Sequence, residues 1–144
     1  MISFVVHSVP VAQPRQRMRV VQSRGRVFTH SYTPTKSPVN AFKASVQMAA
    51  AIAYGGPLLD GPLSLELKFI LPRPKSMTKK RSDNAREWDS RSRNDWDNLA
   101  KSVCDALNGI LWHDDGQIAC VSVWRMIAAA DEQPRVLIDV ETIV

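Results

Sequence analysis

Leu63, Leu65, Leu67, Phe69 and Leu71 alternate with Ser64, Glu66, Lys68 and Ile70, and no other stretch constrains the fold of this chain so tightly. A strict apolar period of two demands a strand with one face on a core. Asp60-Gly61 marks a turn before it, and Pro72 and Pro74, which lack the donor a ladder needs, end it. One strand cannot bury its own face, so the chain must supply sheet partners and a covering layer. Ile2, Phe4 and Val6 alternate within Met1–His7 and predict a half-buried strand. Gln117–Met126 predicts another. Ala119, Val121 and Val123 lie on one of its faces, with Ile118, Cys120, Ser122 and Trp124 on the other, which predicts a central place in the sheet. Val136, Ile138 and Val140 mark a last strand over Arg135–Ile143.

Two helical patterns supply the covering layer. Ser37-Pro38 predicts a start, with serine as N-cap and proline at the first helical position. Val39, Phe42, Val46, Ala49, Ala50 and Ala53 then form one stripe, and Gly55-Gly56-Pro57 stops it. From Asn98, the residues Leu99, Val103, Ala106, Leu107 and Ile110 form a second stripe, and Asn108-Gly109 predicts a left-handed C-cap. The chain has 144 residues, 44% of them hydrophobic, which suffices for one core and not two. The expected fold is α+β: a small single domain, residues 1–144, with two main helices packed on a mixed β-sheet.

Charge is distributed unevenly. The formal net charge is +5, and no Asp or Glu precedes Asp60. Arg15, Arg17, Arg19, Arg24 and Arg26 lie in two β-prone pieces around Ser23-Arg24-Gly25, which predicts a basic hairpin or ordered loop. Residues 73–94 have no apolar periodicity and carry Lys75, Lys79, Lys80 and Arg81 among other cations. They predict a long, mobile basic loop that leads into Asp95. Clustered cations imply a polyanionic partner, most simply nucleic acid. No apolar run is long enough to cross a membrane, and the first residues lack a charged n-region and a cleavage site, so a cytoplasmic protein is expected. Cys104 and Cys120 have no CxxC partner and are expected to be reduced, partly buried thiols.

Within this basic chain lies an acidic stretch. Asp95 and Asp97 are two apart, a spacing that in extended backbone points both carboxylates the same way. Asp97, Lys101 and Asp105 follow at i, i+4 and i+8, and Asp114-Asp115 stands at the mouth of the next strand. Singly, these are an N-cap, an ion pair and an acidic turn. Together they bring hard carboxylate oxygens to one end of a sheet, which suits Mg²⁺ or Mn²⁺ and not zinc. Such an ion polarises a phosphoryl oxygen and activates a water, while a lysine offsets charge in the transition state. An acidic hole in a basic surface serves a metal-dependent nuclease and has no use in a purely binding protein.

Asp95-x-Asp97-Asn98-Leu99-x-Lys101, then Asp105-Ala106-Leu107-Asn108-Gly109, then Trp112-x-Asp114-Asp115-x-Gln117-Ile118, resembles the signature of the RusA-type Holliday junction resolvases. Pro10–Arg17, Arg24-Gly25-Arg26-Val27 and Thr33-Pro34 are similar to the N-terminal region of the same family. The resemblance touches most of the chain, with its specific part between Asp95 and Gln117. It implies a small homodimeric endonuclease of a kind common in phages and prophages, acting in a bacterial or phage-infected cell. It further implies Mg²⁺-dependent cutting of two opposed strands of a four-way DNA junction. Carried over, Asp95, Asp97 and Asp115 are the metal-binding carboxylates and Lys101 the catalytic lysine. Asp114 is a weaker candidate ligand, with capping of the turn as its other role. Asp105 is read as a structural acid or one that supports the ligands, Trp96 and Trp112 as packing or hinge residues in preference to base stacking, and His113 as a surface residue. Arg15, Arg17, Arg24, Arg26, Lys75, Lys79, Lys80 and Arg81 are the expected DNA contacts. Two other readings compete: a broader nuclease acting on flaps and other branched DNA, and a basic DNA-binding protein of this fold that does not cut.

Overall fold

The computed structural model describes residues 1–14, 17–32, 36–75, 87–88 and 95–143. In chain order it forms β1 (Ile2–Val6), β2 (Arg17–Ser23), β3 (Arg26–Tyr32), α1 (Pro38–Ala53), β4 (Leu63–Leu71), β5 (Glu87–Trp88), α2 (Trp96–Leu107), a 3₁₀ turn (Asp115–Gln117), β6 (Ile118–Ile127) and β7 (Arg135–Thr142). Five strands make one sheet in the order β1-β7-β4-β6-β5, and β2 and β3 make a separate ribbon. β4 runs parallel to β6 and antiparallel to β7, so the sheet is mixed, as expected. The α+β class and the two-helix layer are those anticipated from the sequence.

The core follows the alternation in β4. Leu63, Leu65, Leu67, Phe69 and Leu71 are buried beside Val136, Ile138 and Val140 of β7 and Phe4 and Val6 of β1. Against them pack Phe42, Val46 and Ala50 of α1 and Leu99, Val103, Ala106 and Leu107 of α2. Each fully buried Leu or Phe contributes on the order of 1.5–3 kcal/mol, so this layer supplies most of what holds the domain together. Gln47 of α1 donates to the Ala106 carbonyl at 3.1 Å, and Lys43 pairs with Asp105 at 3.8 Å, fastening the two helices side by side. The opposite face of β4 carries Ser64, Glu66 and Lys68, with Lys68 3.7 Å from Glu66, and ends in the buried Ile70.

Three expectations change. The helix predicted from Asn98 begins two residues earlier, at Trp96, with Asp95 as its N-cap. An acid in the first turn is favoured by the helix dipole, and the Leu99 amide closes the first turn onto the Asp95 carbonyl. Asp95 and Asp97 therefore do not share an extended segment. β6 does lie inside the sheet, between β4 and β5, but is less buried than that place implies. Its pairing with β5 is confined to Met126 and Ile127, and Ala119, Cys120, Val121, Ser122 and Trp124 are exposed. Its apolar character thus faces an open cavity on one side and the polar sheet surface on the other. Finally, the basic stretch 73–94 contains β5, although most of it, including Lys79, Lys80 and Arg81, lies outside the described residues.

The hairpin is a clean case of turn chemistry. Ser23 pairs with Arg26, leaving Arg24 (φ 53°) and Gly25 (φ 75°) as a two-residue loop with both residues left-handed. That is the turn whose twist matches paired strands. Cross-strand register puts Arg19, Val21, His30, Phe28 and Arg26 on one face, with Arg19 lying 5.6 Å over the Tyr32 ring. No helix among the described residues is long and apolar enough to cross a membrane.

Candidate active site

α2 and the start of β6 bracket a cavity of about 300 Å³. Asp97 and Lys101 enter it from successive turns of α2, and Asp115 enters from the 3₁₀ turn. All three residues are exposed. Among the described residues, no ion pair or side-chain hydrogen bond engages any of them. Two carboxylates and an ammonium from distant parts of the sequence are thus held free in one concavity.

The helix explains which acids meet. Residues four apart on a helix drift by roughly 40°, and residues eight apart by roughly 80°. Lys101 stays beside Asp97, whereas Asp105 swings round to α1 and pairs with Lys43. Asp105 is therefore structural, as the sequence suggested. Asp95, at the N-cap, makes no side-chain cap hydrogen bond and does not line the cavity.

Asp115 is held by a turn with a strict hydrogen-bond account. Asp114 Oδ2 accepts from the Gly116 amide at 3.0 Å, which commits Asp114 to capping. Gln117 Oε1 accepts from the His113 and Asp114 amides at 2.8 and 3.1 Å. Its Nε2 donates to the Leu59 and Gly61 carbonyls at 2.9 and 3.0 Å. One side chain thus ties the Asp114-Asp115 turn to the loop before β4. In the sequence Gln117 is only one position of the motif, and its positioning role emerges with the fold. Its signal was the capping-box spacing from Asp114 to Gln117. His113 is exposed and lies 2.9 Å from Asp60. Trp112 is fully buried and donates to Asn108 Oδ1 at 2.7 Å, so its packing role is as expected.

The remaining wall is apolar: Trp96, Ala100, Ile118 and Val121, with Cys104 at the back. Trp96, Ala100 and Cys104 recur at i, i+4 and i+8, a stripe whose small residues leave room beside the indole. Trp96 is 55% exposed, which corrects its reading as a packing residue. Burial, with the charges of Asp115 and Asp105 adding to it, pushes the Cys104 thiol up to about 12. Cys104 is therefore a neutral thiol and not a soft thiolate ligand. What the cavity offers a metal is oxygen only, from Asp97 and Asp115. That donor set fits Mg²⁺ or Mn²⁺, which bind through one or two carboxylates with water and substrate phosphate completing the shell. Among the described residues no three His, Cys, Asp or Glu side chains converge to hold a metal by themselves.

The expected DNA contacts divide. Arg24 and Arg26 are exposed at the tip of the β2–β3 ribbon, Arg17 opens β2, and Lys75 is exposed after β4. Arg15, Lys79, Lys80 and Arg81 lie outside the described residues. The ribbon is rooted near the site: the Gln13 amide donates to the Asn98 carbonyl in the first turn of α2 at 2.9 Å.

Comparison with known proteins fits this arrangement. The chain is 34% identical over 139 residues, covering 94% of this chain and 92% of the relative, to the uncharacterized protein YqaN of Bacillus subtilis (strain 168). The profile of the family described as Endodeoxyribonuclease RusA matches residues 8–141, which takes in the hairpin, both helices, the cavity and all but the first strand. The chain belongs to the RusA family of endodeoxyribonucleases.

Proposed function

We propose that this protein is a Mg²⁺-dependent junction resolvase, cutting opposed strands of four-way DNA by phosphodiester hydrolysis as a homodimer in the cytoplasm. The observation that carries the reading is the meeting of Asp97, Lys101 and Asp115, free of other partners among the described residues, in one cavity. Asp97 and Asp115 are the side chains that hold the divalent ion, with Mn²⁺ as the natural substitute. When bound, that ion supplies Lewis-acid polarisation of the phosphate and a more acidic water. Asp95, exposed at the helix N-cap beside Trp96, is the third carboxylate of the proposed metal-binding set.

Lys101 holds its ammonium one helical turn from Asp97, where it offsets the negative charge that grows on the non-bridging oxygens. The water oxygen forms a new bond to phosphorus as the ester bond to the leaving nucleotide oxygen breaks. The leaving oxygen takes up a proton, and the attacking water gives one up to solvent, so the step balances. Gln117 keeps Asp115 in place through its four hydrogen bonds. Arg15, Arg17, Arg24, Arg26, Lys75, Lys79, Lys80 and Arg81 contact phosphates. Such contacts read the path of the backbone and not the order of bases. A two-fold dimer presents two cavities to the two opposed strands, which is how a symmetric junction is cut in pairs.

A supercoiled plasmid with an extruded cruciform tests this. Conversion straight to the linear form, dependent on Mg²⁺ and lost in Asp97→Asn, is the expected result. Nicked circles alone would contradict paired incision, and cutting in EDTA would contradict metal dependence.

A further inference from the structure

Phosphodiester hydrolysis accounts for the polar side of the cavity but not for its other side. Trp96 stands between the two aspartates of the motif, 55% exposed, and forms one wall with Ala100, Ile118 and Val121. An exposed indole over small side chains does nothing for a phosphate. The group that every scissile phosphate brings with it is a nucleoside, and its one flat, apolar surface is the base. We propose that Trp96 is a stacking platform for the nucleobase beside the scissile phosphate, and that through it the site selects branched DNA.

The inference rests on reading Asp97, Lys101 and Asp115 as the phosphate-cutting centre. In continuous duplex a base is stacked on both neighbours and its faces are not available. At a branch point the strand leaves the helix, and the base there loses a neighbour. Stacking on an aromatic side chain replaces that neighbour, and it tolerates any base because every base has a π-face. Shape selectivity then arises at the catalytic cavity itself and not only in the basic ribbon. One cavity of about 300 Å³ is lined both by the charged Asp97, Lys101 and Asp115 and by the apolar Trp96, Ile118 and Val121, which sets a place for a base beside a place for its phosphate. Trp124 supplies the internal control. It is nearly as exposed, at 53%, but belongs to the opposite face of β6, in register with Lys68, and does not line the cavity.

The test uses a four-way junction with a single 2-aminopurine at the branch point, bound by the Asp97→Asn protein in Mg²⁺. The expected result is fluorescence quenching that disappears in Asp97→Asn/Trp96→Ala and persists in Asp97→Asn/Trp124→Ala. In the otherwise unaltered enzyme, Trp96→Ala should cut junctions at least about tenfold more slowly, with Trp96→Phe within a few-fold of the parent. Quenching that survives loss of Trp96, or junction cutting at the parent rate by Trp96→Ala, overturns the proposal and leaves the nuclease reading standing. If the parent cuts no junction, the nuclease reading fails. Trp96-dependent quenching would then still uphold the stacking site, and its absence would end both.

Discussion

Lys101 and Cys104 lie one turn apart on α2, yet the cavity puts them to opposite uses. Lys101 is exposed and unpaired among the described residues, so its removal takes nothing from the core. Lys101→Met should leave the free energy of unfolding within about 0.5 kcal/mol of the parent. It should slow cleavage by roughly 100-fold or more, the usual cost of one preorganised charge in a transition state. Denaturant melts beside single-turnover rates check both halves. Cys104, by contrast, holds its proton, its thiol raised from 9.0 to about 12 by burial first and by Asp115 and Asp105 second. Iodoacetamide at pH 8 should therefore label exposed Cys120 and spare Cys104, read by peptide mass after a short pulse. The sign for stability follows. The folded value lies above the unfolded one, so this group's contribution is fully present below about pH 9 and declines as pH rises toward 12.

Among the elements, the 3₁₀ turn and α2 decide whether there is a site at all. Gln117→Leu strands two amides and two carbonyls that the amide side chain now satisfies. The expected cost is about 1–3 kcal/mol of stability. Activity should fall further than that loss explains, because Asp115 is no longer held. Urea melts and cleavage rates at a temperature where the variant stays folded separate the two effects. This level also shows what could be read from sequence. The strand β4, the start of α1 at Ser37-Pro38 and the Asn108-Gly109 stop of α2 were plain, since period, cap and turn chemistry are local; Gly109 does take a positive φ of 75°. The start of α2 was not, because Asp95-x-Asp97 satisfies an extended spacing and an acidic helix N-terminus equally well. The exposure of Trp96 and the hydrogen bonds of Gln117 are hard to read for a different reason. Their roles depend on Ile118, Val121, Leu59 and Gly61, which only the fold brings near.

At the scale of the whole molecule, a basic exterior carries an acidic hollow. Phosphate contacts release counterions, so junction affinity should fall steeply with salt. Replacing Arg24 and Arg26 at the ribbon tip with alanine should weaken binding to every DNA alike and reduce the slope of log K against log salt by about 1 per residue. Gel-shift titrations at several salt concentrations measure this directly. β6 does lie inside the sheet, between β4 and β5, but its apolar residues are less buried than that place implies on this scale: one face lines the cavity that Asp97 and Asp115 share. The most direct measurement of the account is cleavage of a synthetic four-way junction in Mg²⁺, beside linear duplex and flap DNA, by the parent protein and Asp97→Asn. Paired, symmetric cuts in the junction alone, lost in the variant, are the predicted result. Equal cutting of all three substrates would contradict junction selectivity, and tight binding without cutting would contradict the assignment of the Asp97, Lys101 and Asp115 cavity as a nuclease centre.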